Sequence, residues 1–262
     1  MSGFGSGFKR VDGVPEDAVR MAWILDQIAQ RSAVRELKAF ALAELAPKAG
    51  EDALDVGSGT GEDVAALRGL TGCAVGVEPS EGLRAESVRR FPGLEIVDGD
   101  ALKLPFDDAS FDVVRCERVL QHLADPAQAV AEMTRVLRPT GRIALIDTDW
   151  GTALLHPVVP GVYERLTQAL LADSANPYAG RTLRALLADN ALTITAETAA
   201  TWIEPQSGAR EGFLPTMIQA GAANGTITPA EAEALTQTLA EAADRGAFHM
   251  SLTMYAVVAV KP

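Results

Sequence analysis

Three glycines, Gly57, Gly59 and Gly61, fall in LDVGSGTGED between an apolar run, ALDV at 53–56, and a stretch of helical pattern. Lacking Cβ atoms, they let the backbone turn tightly and approach a ligand closely. A loop of this kind after a strand and before a helix is the setting in which a nucleotide-like cofactor is held. Twenty-one residues after Gly57, Glu78 follows the apolar run CAVGV at 73–77, where a carboxylate can accept hydrogen bonds from both ribose hydroxyls. The spacing is G-x-G-x-G, whereas a dinucleotide loop places its third glycine at position 62. Glu62 stands there instead, and its charge would repel a pyrophosphate. An NAD(P)- or FAD-dependent oxidoreductase is therefore a distant alternative.

The elements that must carry these residues alternate. Short apolar runs at 53–56, 73–77, 94–97, 111–114 and 142–146 are separated by helical stretches, the pattern of a parallel sheet covered by helices. Asp125, Pro126 and Gln128 predict a helix start with an N-cap, a first-turn proline and a capping-box partner, and Pro139 and Gly141 predict its stop. Upstream, Val34, Leu37, Ala41 and Leu45 recur every three or four residues within a helical cover at 15–46. Downstream come helical patterns near 158–172 and 180–189, a strand at 193–203, and two more helices, one opened by the Thr228-to-Glu231 capping box. An alternating strand through Met250, Leu252 and Met254 closes the chain. The expectation is one domain over 1–262: a flexible tail at 1–14, the helical cover, a cofactor-binding core at 50–150, and lid helices with C-terminal strands at 151–262.

Composition narrows the partners. The chain has 262 residues, 48% hydrophobic and 22% charged, with a net charge of −12. This sign disfavours nucleic acid and anionic membranes. Two cysteines, Cys73 and Cys116, are too few for a disulfide scaffold or a four-ligand zinc site, so no metal is expected and a reducing cytoplasm fits. No early apolar stretch reads as a signal segment, and the most apolar run, Tyr255 to Val260, is too short to span a bilayer.

LDVGSGTG at 54–61, GVEPS at 76–80, GDALKLPF at 99–106, FDVV at 111–114 and RVLRPTGRIAL at 135–145 together resemble the ordered motifs of class I S-adenosylmethionine-dependent methyltransferases over residues 50–150. The resemblance implies an α/β, Rossmann-like fold with a seven-stranded, mostly parallel sheet of order 3-2-1-4-5-7-6 and an antiparallel last strand. It implies S-adenosylmethionine as cofactor and a small-molecule acceptor of the sugar or natural-product kind. Gly57, Ser58, Gly59 and Gly61 would pack against the cofactor's amino-acid part, and Glu78 with Pro79 would meet its ribose. Asp100 would accept the adenine amino group, with Ala101 and Leu102 lining the ring, and Cys116 to Val119, Glu117 among them, would pass under the methionine. A cleft edged by Glu62, Glu78, Asp100 and Glu117 suits a sulfonium cation. Arg31 and Arg35 lie on the cover helices, and Arg35 is the candidate clamp for the cofactor carboxylate.

Methyl transfer is an in-line displacement in which orientation and exclusion of water supply most of the catalysis. A hydroxyl acceptor must also lose its proton. His122, in LQHLADP after the fourth strand, is the candidate base; Asp147, ending the fifth strand, is its candidate orienting partner. The resemblance assigns such a His and Asp to the catalytic dyad of related O-methyltransferases. His156 precedes Pro157 in the expected lid, His249 reads as structural, and Trp23 and Trp150 read as packing residues that could wall an acceptor pocket. Transfer to nitrogen or carbon stays open, as does a cyclisation or rearrangement using the same cofactor. RCERVL after the fourth strand replaces the Asn/Asp-Pro-Pro-aromatic motif of base-modifying enzymes. A monomer or a homodimer is expected.

Overall fold

The computed structural model describes residues 15–262; the tail expected at 1–14 lies outside the described residues. Seven strands form one sheet: β1 (Asp52–Val56), β2 (Cys73–Val77), β3 (Glu95–Val97), β4 (Phe111–Glu117), β5 (Leu137–His156), β6 (Thr193–Ile203) and β7 (His249–Val260). Their spatial order is β3-β2-β1-β4-β5-β7-β6, as expected. Neighbours from β3 to β5 run parallel, and β7 is antiparallel to both β5 and β6. The order reverses direction between β1 and β4, and in open α/β sheets the crevice beyond the strand ends at such a point is where ligands bind.

Nine α-helices surround the sheet among the described residues: α1 (Pro15–Ala29), α2 (Ser32–Leu45), α3 (Glu62–Thr71), α4 (Glu81–Arg90), α5 (Pro126–Val136), α6 (Val162–Asp173), α7 (Ala179–Asp189), α8 (Phe213–Ala223) and α9 (Pro229–Asp244). Val34, Leu37, Ala41 and Leu45 of α2 pack with Val64 and Leu67 of α3 on one face of the sheet. Val130, Met133, Leu183 and Leu187, from α5 and α7, cover the other. Each fully buried leucine contributes about 1.5–3 kcal/mol relative to exposure. The apolar period in the sequence therefore reports a real face of α2.

Capping follows the sequence closely. Asp125 accepts from the Gln128 amide at 3.0 Å, but the Gln128 side chain donates to the Leu102 carbonyl rather than closing the box. At Thr228 the box is complete. Helix α5 passes directly into β5 at Leu137, two residues before the proline expected to stop it. The β5 strand is also far longer than the run at 142–146, because its second half pairs with β7 from Leu154 to His156.

That extension seeds a separate core. Leu166 of α6, Leu214 and Met217 of α8, Leu235 and Leu239 of α9, and Phe248 and Met250 pack with one another, and Trp150 leans on Phe213 with ring centroids 5.0 Å apart. The segments expected as a lid at 158–189 and 208–245 satisfy their apolar faces here and on the sheet, and none of their residues lines the large cleft described next. The N-terminal cover instead contributes Met21, Leu25 and Ala29 of α1.

Candidate active site

A cleft of about 610 Å³ opens at the carboxyl ends of β1, β2 and β4. Its floor is the glycine loop. The amides of Gly57 and Ser58 donate to the Val77 carbonyl at 2.8 and 3.0 Å, strapping the loop to β2. Gly57 holds φ at 74°, and a Cβ there would lie 2.2 Å from Val119 Cγ2 on the β4 turn. A Cβ on Gly61 would lie 2.1 Å from Ser87 Oγ of α4. Both positions therefore require glycine for packing and for backbone conformation together. Gly57, Ser58 and Gly59 line the cleft and Gly61 does not; it starts α3 and lets α4 approach.

Glu78 is buried at the end of β2. Its Oε2 accepts from the Gly59 amide at 3.0 Å and its Oε1 from the Ser80 amide at 2.9 Å. Burial raises its pKa, against the lowering effect of those two amides. Glu78, Pro79 and Asp100 all line the cleft. Asp100 Oδ1 accepts from the Leu102 amide at 2.9 Å, an Asx turn that sends Ala101 into the core and packs Leu102 against it. Neither Ala101 nor Leu102 lines the cleft, so their expected place beside an adenine ring is not where the structure puts them.

The opposite wall is charged in a way the motifs did not reveal. Arg115 of β4 reaches Asp55 at 3.2 Å, Asp63 at 2.6 Å and Glu117 at 2.5 Å, while Lys38 of α2 reaches Asp63 at 2.8 Å and Glu117 at 3.7 Å. Burial pushes Asp55 up to about 7 against the pull of Arg115. Burial acts on Asp63 too, but Arg115 and Lys38 outweigh it and hold that carboxyl at about 2. Glu117 lines the cleft but is shared among cations, so it does not offer the unpaired negative edge expected of it. Arg35 is exposed on α2 and lines nothing. Three residues on, it is Lys38 that lines the cleft.

His122 ends a short 3₁₀ turn, Leu120–His122, and lines the cleft. Burial first, then the Arg118 charge, lowers its pKa to about 4, so its imidazole is neutral at physiological pH. Asp147 is fully buried and does not line the cleft. Its Oδ1 accepts from the Thr148 amide at 2.8 Å and its Oδ2 from the Gln121 amide at 3.2 Å, and burial pushes its pKa up to about 7 despite those bonds. Asp147 thus holds the backbone of the turn that carries His122, a positioning role in place of the expected orientation of the ring. Gln121 is fixed further: its Oε1 accepts from Trp150 Nε1 at 2.8 Å and its carbonyl from the Asn176 amide at 3.1 Å. Trp23 is exposed on α1, and His249 Nε2 lies 3.1 Å from Ser251 Oγ, away from the cleft. His156 ends β5 and precedes a cis proline. No cluster of three potential metal ligands occurs among the described residues.

The cleft therefore offers glycine backbone, one amide-satisfied carboxylate at β2 and a neutral imidazole at β4, the equipment of a nucleoside-binding Rossmann-like protein. Residues 54–145 match the methyltransferase domain family. Over 171 residues the chain is 32% identical to the demethylmenaquinone methyltransferase of Beutenbergia cavernae, covering 64% of this chain and 71% of that protein. Over 132 residues it is 42% identical to an uncharacterized 37.1 kDa protein in transposon Tn4556 of Streptomyces fradiae, covering 48% of this chain but only 38% of that one. The fold matches the phosphoethanolamine N-methyltransferase 2 of Haemonchus contortus, solved with phosphomonomethylethanolamine and S-adenosylhomocysteine, at a TM-score of 0.59 and 16% identity, over 100% of this chain and 61% of that one. The chain belongs to the class I S-adenosylmethionine-dependent methyltransferase family.

The residues present fit that family's cofactor. The glycine positions at 57 and 59 keep side chains out of the cleft floor, and Glu78 keeps lone pairs beyond the two its amides use. No helix among the described residues is long and apolar enough to cross a membrane.

Proposed function

We propose that the protein transfers a methyl group from S-adenosylmethionine to a hydroxyl of a small-molecule acceptor, with His122 taking the proton. One observation carries this reading: a single cleft brings the amide-bonded Glu78 carboxylate and the neutral His122 imidazole to opposite ends of the same space. Gly57, Ser58 and Gly59 would hold the cofactor's amino-acid part, Glu78 and Pro79 its ribose, and Asp100 its adenine. When bound, the cofactor supplies an electrophilic methyl on a sulfonium sulfur. The chain's own contribution is to bind and orient both partners, to exclude water with Met21 and Leu25 of α1, and to accept a proton at the His122 ring.

The −12 charge supports a small metabolite over nucleic acid, the low cysteine count suits a reducing cytoplasm as the place of action, and the likeness to a demethylmenaquinone methyltransferase supports a non-polymeric acceptor. The cleft is formed within one chain, so a monomer suffices for this chemistry.

The test is a metabolite extract incubated with methyl-labelled cofactor, with products identified by mass. Wild-type protein should label a small molecule. His122→Ala should slow that turnover by about a hundredfold while S-adenosylhomocysteine affinity by calorimetry stays within about twofold. A labelled nucleic acid or protein would overturn the acceptor class, and undiminished turnover in the mutant would remove His122 as base.

A further inference from the structure

At the β4 end the cleft carries a cation whose counter-charge is already spoken for. Arg118 lines the cleft, and its contact among the described residues runs from Nε to Glu117 Oε1 at 3.3 Å. That uses one of the five N–H donors of a guanidinium. The other oxygen of Glu117 lies 2.5 Å from Arg115 and 3.7 Å from Lys38. Three cations, Lys38, Arg115 and Arg118, thus face three carboxylates, Asp55 of β1, Asp63 of α3 and Glu117 of β4. With all three carboxylates ionised the group is only neutral. Arg118, whose carboxylate partner is shared with two other cations, is its least compensated member. Asp26, Glu62, Glu78, Asp98 and Asp100 also line the cleft; His122 is neutral before an acceptor binds, and Asp147, which Arg118 also influences, lies buried behind the turn.

The backbone fixes this cation in place. Arg118 sits at φ 54°, in the left-handed region, with its amide donating to the Ile146 carbonyl at 2.8 Å. A non-glycine residue held there persists only where the surroundings enforce it.

Resting on the methyl-transfer reading above, we propose that Arg118 is the anion-binding residue for the acceptor, and that the acceptor carries an acidic hydroxyl, phenolic or enolic, bound beside His122 as its anion. A cation in a partly dry cleft stabilises such an anion more than it would in water, and the planar guanidinium can offer two donors to one oxygen or carboxylate. The step balances simply. On binding, the acceptor O–H proton goes to His122 and leaves the oxygen as the anion beside Arg118; the oxygen–methyl bond then forms as the carbon–sulfur bond breaks, and the electron pair stays on sulfur, giving a methyl ether and a neutral thioether.

The probe is 4-nitrophenol, whose phenolate absorbance reports its ionisation directly, titrated with pH in the presence of protein saturated with S-adenosylhomocysteine. Bound to wild type, the probe's pKa should fall by about one unit or more, a tenfold bias toward the anion. With each variant saturated by S-adenosylhomocysteine, Arg118→Gln should abolish the shift and weaken probe binding by about tenfold, and Arg118→Lys should restore part of both. An unshifted probe in wild type, no saturable binding at millimolar probe, or the same shift in Arg118→Gln would overturn the assignment. If S-adenosylhomocysteine failed to bind wild type, the methyl-transfer reading would fall, and the probe's shift, readable without it, would still decide the role of Arg118.

Discussion

At the β2 end of the cleft a buried carboxylate is satisfied by two backbone amides two strand-ends apart, whereas at the β4 end three cations divide three carboxylates drawn from β1, α3 and β4. Glu78 gets its partners from the two short loops that follow the neighbouring strands β1 and β2, so its geometry is set by backbone and its spare lone pairs are available to a ligand. The Arg115 cluster depends on side chains from distant parts of the sequence and leaves Arg118 the least compensated. In the proposed reading one end holds hydroxyls and the other an anion. Gly57 is where the two meet, since only the absence of a Cβ lets the loop below β2 touch Val119 of the β4 turn.

Breaking that junction should have the largest effect. Gly57→Ala places a Cβ into Val119 at φ 74° and should cost about 2–4 kcal/mol of stability by urea denaturation, with S-adenosylhomocysteine affinity falling more than about tenfold. Adding Val119→Ala should recover the steric part and leave the conformational part. A single mutant as stable as wild type would mean that the two ends do not share this contact.

Next in size is Glu78→Gln, which leaves one of the Gly59 and Ser80 amides facing an NH₂ group. Loss of a buried acceptor costs about 1–3 kcal/mol, so calorimetry should show cofactor-product affinity weakened by about tenfold while 4-nitrophenol binding is unchanged. Equal losses at both ligands would erase the division between the ends.

A third test is in pH dependence. Asp147 titrates at about 7 in the fold against about 3.9 unfolded, so the native state binds the extra proton. Its stabilising share is fully present below the unfolded value and is lost as pH rises through about 7. Asp55, also at about 7, acts in the same direction. Asp147→Asn should therefore shrink the fall in urea midpoint between pH 5 and pH 7 without abolishing it. An unchanged slope would place the titration elsewhere.

Local signals made the β2 end legible. The glycine spacing, the apolar runs of β1 and β2 and the position of Glu78 all lie within 25 residues of one another, and their roles follow from turn chemistry and strand period. The β4 end was legible only in part. His122 could be placed at the sheet edge, and RCER was visible as a departure, but nothing local tells Lys38 to face the cleft and Arg35 to face solvent, or brings Arg115 to Asp55 sixty residues away. The C-terminal helices read correctly as helices, but their packing partners were not legible, because periodicity fixes that a face is apolar without naming what covers it.

Sequence alone determined the strand order's raw material, the cofactor loop and the caps that start α5 and α9, since each depends on residues a few positions apart. The tertiary structure decided how charge is shared across the cleft, which helices close over it, and that Asp147 braces a backbone turn. Those outcomes depend on through-space distances and burial, which change ionisation and pairing without leaving a mark on spacing along the chain.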